Sequence, residues 1–442
     1  MTAYLLERAW VDGAFHDDVL VEIANGRFAT VATATNPQDP RRAGESVRVP
    51  GLTIPGLANC HSHAFHRALR GRTQRERGSF WTWREQMYAV AEHLDPDLCL
   101  ALARATYREM ASAGITGVGE FHYLHHQLDG TPYADPNEMG LALVQAAREA
   151  GIRITLLDAC YLSSGFGAPP EGVQRRYADR DAAAWADRVA GLGGFEKVGA
   201  AIHSVRAVPA DQLGEVVAAA AGRPLHVHLS EQVAENEACA AAYGVTPTRL
   251  LHDHGALGPG TTAVHATHLT GDDIRLLGGA GAHACFCPTT ERDLGDGIGP
   301  SRRLHDAGAR LTLGSDSHAV IDLFEEMRAV ELDERLATQR RGHWSAAELL
   351  AAGTATGHAS LGWADAGEIA VGERADLVTL DAASVRTAGT GRDEGTVVFA
   401  ATAEDITQVM VDGRIVVRQG DREQIARELD EAIARVWERV KE

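Results

Sequence analysis

The feature that most constrains the fold is a regular alternation of short apolar runs with alanine-rich amphipathic stretches, which begins at residue 52. Such runs are typical of buried parallel strands, and the stretches between them are typical of helices. The predicted strands are 52–60, 115–121, 152–160, 198–205, 224–230, 262–267, 283–287 and 311–315. The predicted helices lie near 95–113, 137–150, 180–192, 210–221, 232–243, 271–280, 301–308 and 323–335. Eight strand–helix units predict an α/β fold, a (β/α)₈ TIM barrel.

A doubly wound parallel sheet is the competing architecture for this pattern. Its nucleotide-binding form carries a G-x-G-x-x-G motif directly after a strand. No such motif follows any of the predicted strands. The pattern therefore favours the barrel.

The two ends of the chain have a different pattern, in which short runs of alternating apolar and polar residues are separated by turn residues. The predicted strands of these segments are 4–6, 19–23, 27–31, 367–370, 377–380, 395–401, 407–411 and 415–417. A loop is predicted at 37–45 and a charged amphipathic helix at about 422–441. Each segment is short to fold alone. We therefore expect residues 1–52 and 366–442 to form one small β-sandwich domain with a C-terminal helix, beside a barrel domain of residues 53–365.

The charge of the chain argues against some classes of partner. Its 442 residues include 42 Lys and Arg against 61 Asp and Glu, a net charge of −19. We expect no nucleic-acid partner, because binding polyphosphate needs clustered cations that displace counterions. Charged residues at positions 7, 8 and 12 interrupt any signal-peptide core, and no run of 18 apolar residues could span a membrane. We expect a cytoplasmic protein without membrane contacts.

Six cysteines are scattered along the chain without a C-x-x-C pair, which does not indicate a disulfide framework. Cys285 and Cys287 lie near His283 and could form a soft-metal site. Residues i and i+2 of a strand share a face in any case, and buried free cysteine is common. We favour a structural role for this pair.

Histidine and aspartate recur where the predicted barrel strands end, which is where barrel enzymes carry their catalytic groups. The runs are Cys60-His61-Ser62-His63, His226-Val227-His228-Leu229-Ser230-Glu231, His265-Ala266-Thr267-His268 and Gly314-Ser315-Asp316-Ser317-His318. His61 and His63 share a face, so two imidazoles can meet one divalent ion. One such histidine alone is more often a core residue, but four strand ends together indicate a site.

These residues also carry a family resemblance. The pattern Pro55-Gly56-Leu57-x-Asn59-x-His61-x-His63, then His228-x-x-Glu231, His265 and Ser315-Asp316, resembles the amidohydrolase superfamily, in the branch that removes ammonia from amidine-like carbons. The run Gly372-Glu373-Arg374-Ala375-Asp376-Leu377-Val378 resembles the C-terminal β-domain of that family. The resemblance thus spans nearly the whole chain, and by analogy with the family it implies a homodimer.

The resemblance implies one divalent metal, usually zinc, held by His61, His63, His228 and Asp316. Iron or manganese would accept the same ligands. His226 shares a strand with His228, but Glu231 follows His228 at the family spacing. Two-metal relatives use a carboxylated lysine at the end of strand 4, where this chain has His203, with Lys197 at the beginning of the strand. One metal is the better interpretation.

The resemblance also implies the catalytic roles. Asp316 would accept a proton from water, Glu231 would relay a proton to the departing nitrogen, and His265 would hydrogen-bond the nucleophile and the tetrahedral intermediate. Taken alone, Glu231 could equally be a solvated residue near the start of the next helix.

Three local stretches, 63–71, 79–88 and 119–126, resemble the enzymes of this branch that hydrolyse N-formimidoyl-L-glutamate to N-formyl-L-glutamate and ammonia in histidine degradation. A small substrate with two carboxylates needs placed cations, and arginine matches carboxylates bidentately. Arg84 and Arg206 are the candidate anchors, although Arg84 could instead be a surface residue stacked on Trp81 or Trp83, and Arg206 could form a salt bridge in its loop. The other candidate substrate-binding residues are His66, Tyr123 and His203.

Several alternatives remain open at this stage. Cys287-Pro288-Thr289-Thr290-Glu291-Arg292-Asp293 departs from the Cys-Pro-x-Ser-Asn run common in purine-type relatives, which weakens a purine or S-adenosylhomocysteine substrate, and Thr290 or Arg292 could contact the glutamyl part. A guanidino acid or a triazine is a further alternative, as is a non-catalytic barrel. The arginines at 67, 70, 72, 75 and 77 are interpreted as a solvated loop that could steer anions.

Overall fold

A computed structural model describes residues 2–33, 46–75, 77, 80–193, 195 and 197–441. It contains two sheets, one of eight strands and one of seven. The loop predicted at 37–45 lies outside the described residues. The other predicted elements can be compared with the structure.

The eight-stranded sheet is a parallel barrel whose strands are paired in chain order. Its strands are β5 (Leu57–Ser62), β6 (Ile115–His122), β7 (Arg153–Cys160), β8 (Val198–Ile202), β9 (Leu225–Leu229), β10 (Thr261–His265), β11 (His283–Phe286) and β12 (Arg310–Leu313). The ring closes where Ser62 bridges Asp316 in parallel, with hydrogen bonds from His63 N to Asp316 O and from Asp316 N to His61 O. The predicted TIM barrel is confirmed.

The helices around the barrel begin and end close to the predicted bounds. They are α1 (Phe80–His93), α2 (Pro96–Ser112), α3 (Glu138–Ala150), α4 (Ala182–Ala190), α5 (Ala210–Ala219), α6 (Val233–Tyr243), α7 (Pro247–Asp253), α8 (Gly271–Gly279), α9 (Pro288–Leu294), α10 (Ser301–Asp306), α11 (Leu323–Thr338), α12 (Ala346–Gly353) and α13 (Ala355–Ser360). The sequence analysis did not predict α1, α7, α9, α12 or α13. All but α1 are short, so their periodicity extends over two turns or fewer.

The second sheet is formed by strands from both ends of the chain. Its order is β15-β14-β13-β4-β1-β2-β3. The strands are β1 (Thr2–Val11), β2 (Ala14–Ala24), β3 (Arg27–Ala32), β4 (Val47–Pro55), β13 (Leu377–Leu380), β14 (Ile406–Val411) and β15 (Arg414–Arg418). The strands expected to form a small β-sandwich therefore form one sheet, and it extends to Pro55, past the predicted division at residue 52.

The strand predicted at 52–60 is two strands, which is a correction. The strand is interrupted at Gly56, so that β4 pairs with β1 and β13, while β5 is the first strand of the barrel. A Cβ at Gly56 would lie 2.2 Å from Thr116 Oγ1 and 2.8 Å from Asp376 Cβ. Only glycine lets the two sheets approach this closely.

Two further predictions for the C-terminal segment are wrong. Residues 367–370 form no strand, and 395–401 is largely the helix α14 (Glu394–Phe399), whose first turn is capped by Asp393. The hairpin at Asp412-Gly413 and the terminal helix α15 (Arg422–Arg439) are confirmed. The buried side chains of α15, Ile425, Leu429 and Ala432, pack with Ala105 of α2. No described helix is both long enough and apolar enough to cross a membrane.

Candidate active site

The predicted site residues converge at one end of the barrel. His61, His228 and His265 lie on β5, β9 and β10, while His63, Glu231 and Asp316 lie in the segments just after β5, β9 and β12. Parallel strands of a closed barrel present their carboxyl ends on the same face. Residues distant in sequence are therefore neighbours here.

The backbone around these residues adopts left-handed conformations that non-glycine residues rarely use. The φ angles are +51° at Ser230, +67° at His265, +48° at Ala266, +39° at Asp316 and +58° at His318. Each such residue costs free energy that the surrounding structure must offset, and such residues cluster at functional sites. The strain coincides with the strand ends that carry the candidate groups.

Three imidazoles and one carboxylate point their donor atoms at a common point. Nε2 of His61 lies 3.1 Å from Nε2 of His228 and 3.3 Å from Oδ1 of Asp316, while Nε2 of His63 lies 3.4 Å from the same oxygen. Tetrahedral zinc with Zn–N distances of 2.0–2.1 Å separates its ligand atoms by about 3.3–3.4 Å. The observed separations fit such a centre.

The remaining ring nitrogens orient two of these imidazoles. Nδ1 of His63 lies 2.9 Å from the carbonyl oxygen of Phe121, and Nδ1 of His228 lies 2.8 Å from that of His203. A carbonyl oxygen can only accept, so both rings carry their proton on Nδ1 and leave the Nε2 lone pair facing the common point. Metal-binding histidines are oriented in this way.

The electrostatics of the cluster also fit a cation. Burial lowers the pKa of His61, and burial together with neighbouring imidazoles lowers the pKa values of His63 and His228 well below the usual range, so these rings are neutral at pH 7. Burial by itself raises the pKa of Asp316, but the hydrogen bond and charge of His61 outweigh it and lower that pKa. Neutral imidazoles and an ionised carboxylate are the forms that bind divalent metal.

Glu231 and His265 lie beside this cluster. Nε2 of His265 is 3.9 Å from Oε1 of Glu231 and 3.7 Å from Oδ2 of Asp316. Burial raises the pKa of Glu231. A carboxyl group with a raised pKa can both take up and release a proton near neutrality. Glu231 is therefore not the solvated residue of the alternative interpretation.

A cavity of about 390 Å³ opens onto these groups. It is lined by every predicted substrate-binding residue, namely His66, Arg84, Tyr123, His203 and Arg206. His66 Nε2 and the Tyr123 hydroxyl are hydrogen-bonded at 3.0 Å. The proposed anchors therefore line the same cavity as the candidate metal ligands His63, His228 and Asp316.

Two arginines face this cavity in different ways. Arg84 donates from Nε to the Tyr88 hydroxyl at 2.6 Å, and its guanidinium lies over the Tyr88 ring. Arg84 also lines the cavity. Within the described part of the chain, no side chain forms an ion pair with Arg206, so the loop salt bridge considered above is not formed there.

Sequence reasoning missed several residues of the cavity wall, among them Tyr88, Tyr161, Tyr177, Gln232 and Glu235. Glu235 accepts from the Ser230 amide at 3.1 Å, and burial raises its pKa to about 7. Glu235 follows Glu231 by four residues, and this spacing could have predicted that both side chains face the same way. The three tyrosines come from α1, the end of β7 and a 3₁₀ turn, so no local pattern links them.

Other candidates lie outside the cavity. Thr290 is buried against Ser315 and Ser317, and Arg292 pairs with Asp333 and Glu325, so neither is placed to contact a molecule in the cavity. Arg67 and Arg70 were predicted to lie in a solvated loop. That prediction is wrong for these two residues, because both pair with Glu109.

His226, Lys197 and the cysteines lie outside the candidate site. His226 lies inside the barrel, with Nε2 3.5 Å from the carbonyl of Ser360, and Lys197 lies over the ring of Trp363. All six cysteines are buried and unpaired. Among the described residues, no group with metal-ligand spacing includes Cys285 or Cys287.

A second group with metal-ligand spacing, His122, His125 and Asp158, lies behind β6 and β7. Arg188 donates to both oxygens of Asp158, and Trp185 donates to one of them. A guanidinium already neutralises this carboxylate, so the cluster is a buried hydrogen-bond network and not a cation site.

Comparison with known proteins places this chain in a family. The model of the Amidohydrolase family matches residues 52–416. The chain is 36% identical over 439 residues to a formimidoylglutamate deiminase of Pseudomonas aeruginosa, with 95% of each chain covered. It is 28% identical over 440 residues to a 5-methylthioadenosine/S-adenosylhomocysteine deaminase of Halobacterium salinarum, again with 95% of each covered.

Solved structures agree. An amidohydrolase from Brucella melitensis matches with a TM-score of 0.90 and 32% identity over 99% of this chain and 100% of that one. An adenosine deaminase from Xanthomonas campestris with bound zinc has a TM-score of 0.83 at 22% identity, covers 98% of both chains and shares the fold. Fold, family model and relatives over 95% of the length lead to one conclusion: this chain belongs to the amidohydrolase family.

Proposed function

We propose that this protein hydrolyses N-formimidoyl-L-glutamate to N-formyl-L-glutamate and ammonia. The observation that carries the proposal is the shared cavity, which is lined by His63, His228 and Asp316 together with Arg84 and Arg206. Nε2 of His61 lies against His228 and Asp316 at the same point. A formimidoyl group is a small amidine, and the glutamyl part carries two carboxylates. The relative from Pseudomonas aeruginosa, which is named for this substrate, supports the same choice.

The metal is proposed from the geometry of its ligands. One divalent ion, zinc in the first instance, would be held by His61, His63, His228 and Asp316, whose donor separations suit it. When bound, it supplies Lewis acidity and makes water a competent nucleophile at neutral pH.

The side chains around this point have separable tasks. Water adds to the formimidoyl carbon, the bond to the terminal nitrogen breaks, and ammonia leaves as the carbonyl forms. Asp316 takes a proton from the attacking water, and Glu231 delivers a proton to the departing nitrogen. His265 lies within 4 Å of both carboxylates and hydrogen-bonds the oxygen that becomes the carbonyl.

The substrate carboxylates need cations, since the chain as a whole carries a charge of −19. Arg206 faces the cavity without a carboxylate partner among the described residues, so its guanidinium is available to the substrate. Arg84 donates from Nε to the Tyr88 hydroxyl, which fixes its guanidinium at the cavity wall, and a guanidinium in this place would meet a carboxylate of the substrate.

The test is ammonia release from N-formimidoyl-L-glutamate by zinc-loaded protein, with N-formylglutamate identified by mass. Stoichiometric formation of both products supports the proposal. Protein that is fully loaded with metal but releases no ammonia from this substrate contradicts it. Adenosine, S-adenosylhomocysteine, a guanidino acid and a triazine, assayed in parallel, would then distinguish a different substrate from a barrel without activity.

A further inference from the structure

We propose that Glu291 is a positioning residue for His265. It accepts the Nδ1 proton of the His265 ring and so holds Nε2 toward Glu231 and Asp316. The proposal rests on the proposed function only for its kinetic consequence, because the hydrogen bond itself can be measured without substrate.

The contact is enclosed. Oε1 of Glu291 lies 3.3 Å from Nδ1 of His265, and the side chains of Glu291 and His265 are 6% and 1% exposed. The same oxygen accepts the backbone amide of Cys287 at 2.9 Å. Glu291 therefore bends back onto the first turn of its own helix, α9, and is anchored there.

The backbone at His265 has a sparsely populated conformation. His265 is the last residue of β10 and has a φ of +67°, and Ala266 follows with +48°. Such conformations persist only where surrounding contacts hold them, and the hydrogen bond to Glu291 is one such contact. The hydrogen bond to Glu291 fixes which nitrogen carries the proton and which one faces the reacting groups.

The neighbouring residue of the same run holds the other proton-handling group. Oγ1 of Thr290 accepts the backbone amide of Ser317 at 3.2 Å and lies 3.0 Å from Oγ of Ser317. The loop that carries Asp316 is thus fastened to α9 next to Glu291. The run Cys287-Pro288-Thr289-Thr290-Glu291 thereby positions Asp316 and His265 together, although it does not line the cavity.

The first measurement is the protonation of the His265 ring in the zinc-loaded enzyme by ¹⁵N NMR, with its signals assigned by their loss in His265→Asn. We expect a proton on Nδ1 in the wild type and in Glu291→Gln, whose amide oxygen can accept the same two N–H groups. In Glu291→Met that signal disappears or moves to Nε2. A wild-type ring without a proton on Nδ1 overturns the proposal, whether or not the variants fold.

The second measurement is kinetic. We expect Glu291→Met to lower kcat by roughly 10–100-fold with KM unchanged, and Glu291→Gln to recover part of that loss. The control is Glu326→Gln. Glu326 is a buried carboxylate of α11 that accepts from Thr289, which lies on α9 with Glu291, but it does not touch His265. Normal kcat in Glu291→Met, or an equal loss in Glu326→Gln, contradicts a positioning role. Wild-type enzyme that is inactive on N-formimidoyl-L-glutamate overturns the proposed function alone, and the NMR result then decides this proposal.

Discussion

His61 and Asp316 meet through both backbone and side chain, although His61 lies on the first strand of the barrel and Asp316 lies just after the last. The Asp316 amide donates to the His61 carbonyl at 3.0 Å, and Oδ1 of Asp316 lies 3.3 Å from Nε2 of His61. The contacts that close the barrel therefore also bring these two candidate metal ligands together. A change at either residue tests both.

Replacing Asp316 by asparagine should reduce metal content and turnover together, because an amide supplies neither the negative charge nor the proton acceptor. Metal analysis of purified protein and the ammonia assay measure the two effects. Asp293→Asn is the control, since Asp293 is exposed and accepts a hydrogen bond from Gln74 outside the cavity. Full metal occupancy with a normal rate in Asp316→Asn would remove this residue from the site.

Replacing Glu231 by glutamine should leave metal content unchanged and lower kcat by roughly 10²–10⁴-fold, the usual contribution of a general acid or base. Glutamine keeps the shape of glutamate but cannot relay the proton, so the expected loss is chemical. Glu237→Gln, on the exposed face of α6, should keep the wild-type rate. A nearly normal kcat in Glu231→Gln would exclude the proton relay.

Replacing Arg84 or Arg206 by methionine should lower kcat/KM for N-formimidoyl-L-glutamate by roughly 10–100-fold, because each removes a charge-assisted hydrogen bond of about 1.5–3 kcal/mol. The change should be largest in KM. Arg292→Met removes a surface cation that pairs with Asp333 outside the cavity and should have no such effect. If both cavity variants keep their KM, the carboxylate anchors are assigned wrongly.

Replacing Arg153 by methionine should destabilise the fold by about 3–5 kcal/mol, because it strands a buried carboxylate. Arg153, on β7, donates to both oxygens of Asp376, just before β13, so the pair ties the barrel to the second sheet. The two side chains are 5% and 1% exposed. Urea unfolding at pH 7 measures the loss, and a loss below about 1 kcal/mol would show that the pair is dispensable.

The same pair predicts a pH dependence. Burial by itself raises the pKa of Asp376, but the charge of Arg153 outweighs it and lowers that pKa below the value in the unfolded chain. Such a group contributes stability that is fully present above the unfolded pKa of about 3.9 and is lost as pH falls through the folded value. The difference in unfolding free energy between the wild type and Asp376→Asn should therefore begin to shrink as the pH falls below about 5 and should go on shrinking through the folded pKa of Asp376, which lies below the unfolded value. A constant difference would contradict the pairing.

Local sequence patterns were sufficient for the barrel and for the groups at its strand ends. An apolar run of five to eight residues, followed by a helix-length amphipathic stretch, leaves little freedom in the type or order of elements. The positions of His61, His63, His228, His265 and Asp316 at strand ends follow from the same pattern. The short helices α7, α9 and α14 were missed because one or two turns carry too little periodicity.

The sequence by itself determined the architecture, the residue types at the strand ends and the net charge of −19. Only the tertiary structure decided that the predicted strand 52–60 divides at Gly56, that Tyr88 holds Arg84, and that Glu291 lies against His265. These contacts join residues from separate elements, and their distances depend on how the strands close and how the helices pack. Periodicity describes the surroundings of a residue along its own element, whereas a site is built from atoms that meet across elements.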